Sequence, residues 1–167
     1  MRRAALTLSR VFAGVQHGTR VLHAVAGASL VFLLLLTVLD VVLRVLRRPI
    51  PGTYELVGFA GGLAIGFAMP YTAWNRGNVY VETFLNRLPR RARQVLQILT
   101  RLIACGLFAL LGWKLWEYGL SLRASGEVSP TLELRYYPVA LGLALASFLQ
   151  VIVLFCQAAQ VVRGEYE

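Results

Sequence analysis

Residues 21–43 read VLHAVAGASLVFLLLLTVLDVVL, an apolar run in which His23 and Asp40 are the ionisable side chains. A helix crosses the hydrocarbon core of a bilayer with about 20 predominantly apolar residues. This run is long enough, so it is expected to span a membrane. Three further runs of the same kind follow at 54–74, 95–120 and 136–162. No tail or loop between them exceeds 20 residues, which leaves no room for a soluble domain. The expected fold class is therefore an all-α integral membrane protein, one membrane domain over 1–167, with four transmembrane helices and short interfacial amphipathic helices.

Composition agrees with that reading. The chain has 167 residues, 57% of them hydrophobic and 15% charged, and its mean hydropathy is +0.63. A soluble domain carries about 25% charged residues. Too few charges are present to coat a water-facing surface, which excludes an ordinary globular enzyme and a disordered segment. The net charge of +9 rests almost wholly on arginine, since Lys114 is the single lysine among 17 basic residues. Most of these arginines stand in polar stretches between the spans. That placement suits anionic headgroups and topology control, not a nucleic-acid groove.

The first span is too extended, and its polar lead of 20 residues too long, for a cleaved signal peptide; Asp40 and Arg44 stand where small residues would mark cleavage. It reads as a signal anchor. Four spans put both tails and the second loop on one side. That side carries ten arginines and the other carries five, namely Arg44, Arg47, Arg48, Arg123 and Arg135. The positive-inside rule places both termini in the cytoplasm. Two stretches are expected to lie as amphipathic helices at the cytoplasmic headgroups: the tail 1–20, and the loop 75–94 with Val81, Phe84, Leu85 and Leu88. Arg76, Arg87, Arg90, Arg91, Arg93 and Arg101 are then lipid anchors, Arg101 by turning its long stem inward.

Ionisable groups inside spans are functional candidates because their burial is costly. Here they sit near span ends. Asp40 and Arg44 are spaced i,i+4 and Lys114 and Glu117 i,i+3, so each couple is a candidate ion pair. The span centres near Phe32, Ala64, Phe108 and Gln150 carry no charge. A self-sufficient exporter wants a midplane carboxylate, a haem anchor wants facing histidines at depth, and a membrane protease wants a Ser/His or Asp/Asp pair. His17 and His23 both lie near one end of the first span, and Ser147 has no visible base. Cys105 and Cys156 lie in apolar runs without a CxxC motif and read as small buried hydrophobes. No residue set makes an enzyme, none holds a metal or cofactor, and no internal repeat marks an inverted-repeat transporter.

The spans do carry packing chemistry. Gly58, Gly62 and Gly66 recur at spacing four in the second span, a stripe where another helix backbone can approach closely, in this chain or a partner. Glu55 opens that span. It is either a first-turn acid favoured by the helix dipole or one half of an ion pair with Arg44 or with a partner subunit.

Several stretches together resemble a known family. Asp40-Val-Val-Leu-Arg44, a short loop with Arg and Pro, and Glu55 before a Gly/Ala-rich span are similar to the small DctQ-type membrane subunit of tripartite ATP-independent periplasmic (TRAP) transporters. Arg76-Gly-Asn-Val-Tyr-Val-Glu82 followed by Leu88-Pro89 resembles that family's second loop. Gly126-Glu127-Val-Ser129, then Leu132, Leu134, Tyr136, Pro138 and Gly142, resembles its run into the last span. Departures are Asn78 for the usual His, Glu82 for Asp, Arg135 where Pro often follows, and Tyr136 for Trp. The resemblance covers roughly 20 to 160.

It implies a bacterial inner-membrane importer of organic acids driven by an ion gradient, in which a large multispanning subunit holds the substrate and sodium sites. A periplasmic substrate-binding protein docks transiently, and the small subunit is a non-catalytic scaffold. Gly58, Gly62, Gly66 and Glu55 are then interface candidates. The outer loops 49–53 and 125–135, with Glu127, Ser129 and Glu133, are candidates for contact with the periplasmic protein. The competing reading is an autonomous homo-oligomeric channel or small transporter.

Overall fold

The computed structural model describes residues 2–75 and 89–162, with side chains described over 14–75, at 89, 92 and 93, and over 95–158. Four helices make up nearly all of it: α1 (Arg2–Val45), α2 (Thr53–Trp74), α3 (Arg90–Ser125) and α4 (Tyr137–Val162). Each contains a segment long and apolar enough to cross a membrane. Among the described residues, the sheet-like feature present is one antiparallel bridge between Val128 and Arg135, in the loop before α4.

α1 and α3 exceed their apolar runs because helix ends are set by caps and breakers, not by hydropathy. α1 starts at Arg2 and continues without interruption through 1–20 into the span. The sequence reading separates that tail from the span; the structure joins them, since Ala, Leu and Arg favour helix and no proline breaks it. α3 begins directly after Pro89 and ends at Gly126, whose φ of 68° is the left-handed conformation of a helix C-terminus. Its 36 residues extend ~54 Å against a hydrocarbon core of ~30 Å, so both its ends project into headgroups or water. α2 runs on through Pro70 as one helix. The expected amphipathic helix at 75–94, with Arg76 and Arg87, lies outside the described residues up to Pro89.

Packing follows two antiparallel hairpins. α1 lies on α2, α3 lies on α4, and the hairpins meet where α2 packs on α4, with a lighter contact of α1 on α4. α4 is the most buried of the four spans and α3 the least. Small residues let α3 approach α4. A Cβ at Gly112 would lie 3.1 Å from the Phe148 ring, and one at Gly119 would lie 2.7 Å from Leu141. At the end of the bundle away from the α1–α2 and α3–α4 loops, α1, α2 and α4 meet through Val15, Ala73 and Val153, with Trp74 and Leu149 against them. There the Gln157 side-chain amide donates to the Ala73 carbonyl, tying α4 to α2.

Candidate functional site

Two acids organise the outer end of the bundle, the end formed by the loops 46–52 and 126–136. Asp40 faces inward from α1 and is 4% exposed. Its Oδ2 accepts from Arg44, one turn on, at 2.8 Å, and its Oδ1 accepts the Ile50 backbone N–H at 3.0 Å. One carboxylate thus fixes the Arg44 side chain and folds the loop 46–52 back over the end of α1. Arg44 also lies over the Tyr54 ring, 5.9 Å from its centroid.

Glu55 turns to the other hairpin. Its carboxylate accepts the Ser129 hydroxyl at 2.5 Å and the backbone N–H groups of Thr131 and Leu132 at 2.8 and 3.1 Å. Ser129 is 1% exposed, and its Oγ in turn accepts the Leu134 N–H at 3.3 Å. Next to this, Gly52 holds φ 73° as it leads into α2, and Leu132 sits where a Cβ would project. Any other residue there would be strained by its backbone and would collide with Leu132. The loop before α2 and the loop before α4 are therefore one interlocked unit.

Glu55 stands in the first turn of α2, where the dipole favours an acid, and its carboxylate is taken up by the other hairpin and not by Arg44; it is a clasp between hairpins. Ser129 is buried beneath that clasp instead of standing on a contact surface. Glu127 and Glu133 are exposed on the same loop, and Glu133 holds φ 53°. Lys114 and Glu117 meet at 2.7 Å on the outer part of α3, with the Trp113 indole N–H donating to the same carboxylate at 3.0 Å.

The glycine stripe divides. At Gly66 a Cβ would run into Leu143 of α4, so this glycine serves the contact between α2 and α4. At Gly58 and Gly62 a Cβ would meet nothing within 4 Å. Arg101, read as a lipid anchor, is 5% exposed and donates to the Gln97 carbonyl at 3.0 Å, so it is turned into the protein instead of out to headgroups. Arg93 is half-buried; Arg90 and Arg91 lie in the first turn of α3, with side chains outside the described set, as Arg76 and Arg87 are entirely.

Between the ends the bundle does not close. α2 and α4 form a floor, α3 forms one wall, and α1 forms a second wall over the half nearer the contact of Val15, Ala73 and Val153. The groove so enclosed measures about 630 Å³ and is lined by His23, Gly27 and Leu30 of α1, Ile65 and Met69 of α2, Phe108 of α3 and Gln150 of α4. A smaller recess of about 230 Å³ continues it outward past Gly62, Gly66, Leu111 and Leu143 and shares Ile65, Met69, Phe108 and Gln150. His23 stacks on Tyr71 at 4.1 Å between ring centroids, closing the end of the α1 wall nearer Val15. Sequence reading placed Gln150 at a span centre without assigning it a part; its signal was an amide near the middle of an apolar run.

Chemically, this is an arrangement for holding helices and presenting surfaces. Among the described residues no three His, Cys, Asp or Glu side chains come together. The carboxylates of Asp40 and Glu55 are engaged by the chain's own donors. A family model described as "Tripartite ATP-independent periplasmic transporters, DctQ component" matches residues 33–164. That match takes in α2, α3, α4 and residues 33–45 of α1. No curated protein matches the chain.

Proposed function

The chain belongs to the DctQ component family of tripartite ATP-independent periplasmic transporters, and from that premise we propose that it is the non-catalytic scaffold of an ion-driven importer of organic acids. Membership implies association with the other components of such a transporter, a large membrane subunit and a substrate-binding protein. In this reading the large subunit binds substrate and sodium and carries out the movement, while the small subunit braces it. The complex sits in the bacterial inner membrane with both termini of this chain in the cytoplasm, as the excess of arginine on that side favours. The outer rim, with exposed Glu127 and Glu133, faces the periplasmic protein.

The observation that carries the scaffold reading is the Glu55 clasp. A part that changes shape during transport needs an element with two arrangements. Here the two hairpins are tied at the outer end by Glu55 on Ser129, Thr131 and Leu132, and at the inner end by Gln157 on Ala73. Four spans tied at both ends behave as one body.

The test is a tether. Phe59 and Tyr136 lie across α2 and the start of α4, with ring centroids 5.2 Å apart. In a background without Cys105 and Cys156, Phe59→Cys and Tyr136→Cys are bridged by a short bifunctional thiol reagent in the assembled, reconstituted complex. Uptake within about twofold of the unbridged protein is expected. A drop of tenfold or more, reversed when the bridge is cleaved, would mean that the hairpins must part during transport, and the scaffold reading fails.

A further inference from the structure

Gln150 lines both parts of the groove, lies a little past the middle of the α4 span and is 5% exposed. Its Oε1 is buried and makes no hydrogen bond among the described residues. The hydroxyls of the groove are satisfied on their own helices: Ser147 donates to the Leu143 carbonyl at 2.9 Å and Thr72 to the Ala68 carbonyl at 3.0 Å. At mid-depth in a bilayer no water is available to an amide, and polar groups there must be answered by protein.

The chemistry of the lining selects the occupant. An acyl chain has neither donor nor acceptor, so lipid would fill the groove and leave Gln150 unanswered. A polar side chain on an otherwise apolar helix answers it, and the amide suits either a donor or an acceptor by rotating. The floor and walls are rich in small residues, among them Gly27, Gly62, Gly66, Ala68 and Ala146, which is the surface a second helix backbone approaches closely. At Gly62 that approach is open. From Gly62 to Thr72 the floor extends ~15 Å along α2, nearly three helical turns.

We propose that this groove seats one transmembrane helix of the large membrane subunit, and that the helix presents a Ser, Thr, Asn or Gln side chain to the Gln150 amide. The proposal rests on the reading that the chain braces that subunit, and adds which face does so and through which polar contact.

The test uses the full complex in native membranes. A photoreactive benzoylphenylalanine replaces Ile65 or Met69 in the groove, or Ile103 or Leu110, which are exposed on α3 away from it. Irradiation at the groove positions is expected to give an adduct with the large subunit, mapping to one apolar segment that contains a polar residue. In parallel, Gln150→Leu is expected to lower recovery of the complex roughly three- to tenfold, the scale of one interhelical hydrogen bond in a membrane. It should leave the melting temperature of the separately purified subunit unchanged or higher, because the Gln150 carbonyl oxygen has no hydrogen bond among the described residues. Adducts to the large subunit from Ile103 or Leu110 with none from the groove would overturn the groove as its seat while the bracing reading stands. Groove adducts with a second copy of this chain, or with lipid alone, would overturn it too. Undiminished recovery of Gln150→Leu would remove the hydrogen bond. Failure of the unmodified chain to recover any large membrane partner would instead sink the bracing reading, and the groove assignment with it.

Discussion

Glu55 and Gln150 are both polar side chains in spans of the same bundle, and they are treated in opposite ways. At the outer end Glu55 collects three donors from a loop of the other hairpin. At mid-depth Gln150 is almost as secluded as Ser129, yet its carbonyl oxygen has no donor among the described residues. The ends of the bundle are self-sufficient and its middle is not. In a membrane, where every buried polar group must be answered by protein, this contrast separates the part of the molecule that holds itself together from the part that is complete only in company.

The sharpest way to break the comparison is at the clasp. Glu55→Ala removes the acceptor for three donors and leaves the buried Ser129 hydroxyl and two backbone N–H groups unsatisfied. Hydrogen bonds to a charged group are worth more than neutral ones, and unmet donors add their desolvation cost, so a loss of about 3 kcal/mol is expected. Equilibrium unfolding of the purified subunit in mixed micelles measures it. Glu55→Gln, which retains an acceptor oxygen, should lose about half as much. A change below about 0.5 kcal/mol for Glu55→Ala would show the ends to be no better tied than the middle, and the contrast would collapse.

The glycines sharpen the same contrast within a single stripe. Gly66→Leu drives a side chain into Leu143 on α4 and is expected to cost the isolated subunit about 2 kcal/mol, the scale of overpacking. Gly62→Leu projects into the open recess, so it should leave the isolated subunit within about 0.5 kcal/mol while blocking whatever enters. Thermal melts of the two variants side by side decide this. Equal losses would mean that Gly62 is also an internal contact.

That stripe also shows where a sequence stops being legible. Spacing four marks small residues on roughly one face, but a helix turns 100° per residue, so Gly58 and Gly66 point about 80° apart. Which of the three meets α4 depends on the placement of that helix, and a linear pattern does not encode it. The spans themselves were readable, because apolar length is a property of the sequence. The ion-pair partners of Asp40 and Lys114 were readable because they stand one turn away on the same helix. Glu55 was readable as a residue of interest, but its partners stand 74 to 77 positions along the chain, and no local spacing points to them. Arg101 misled for a related reason: a basic residue near a span end looks like a headgroup anchor until a neighbouring helix covers it.

The smallest expected effect concerns the pair that resembles the clasp but stands in the open. Lys114 and Glu117 meet at 2.7 Å with their side chains 72% and 51% exposed. Trp113, Trp116 and Tyr118 surround them on α3, all exposed. Aromatic side chains of this kind gather at the level where hydrocarbon gives way to headgroups, which places the ion pair in a hydrated, screened zone. Exposed pairs are typically worth 0.2–1 kcal/mol, so Lys114→Met should cost about 0.5 kcal/mol or less in the same micellar unfolding assay, and less still at high salt. A loss of several kcal/mol would place the pair within the hydrocarbon, moving the outer boundary of the membrane beyond Tyr118 toward Ser125. The contrast would then be redrawn, because a second ion pair would stand at depth, answered within its own helix and leaving Gln150 all the more isolated.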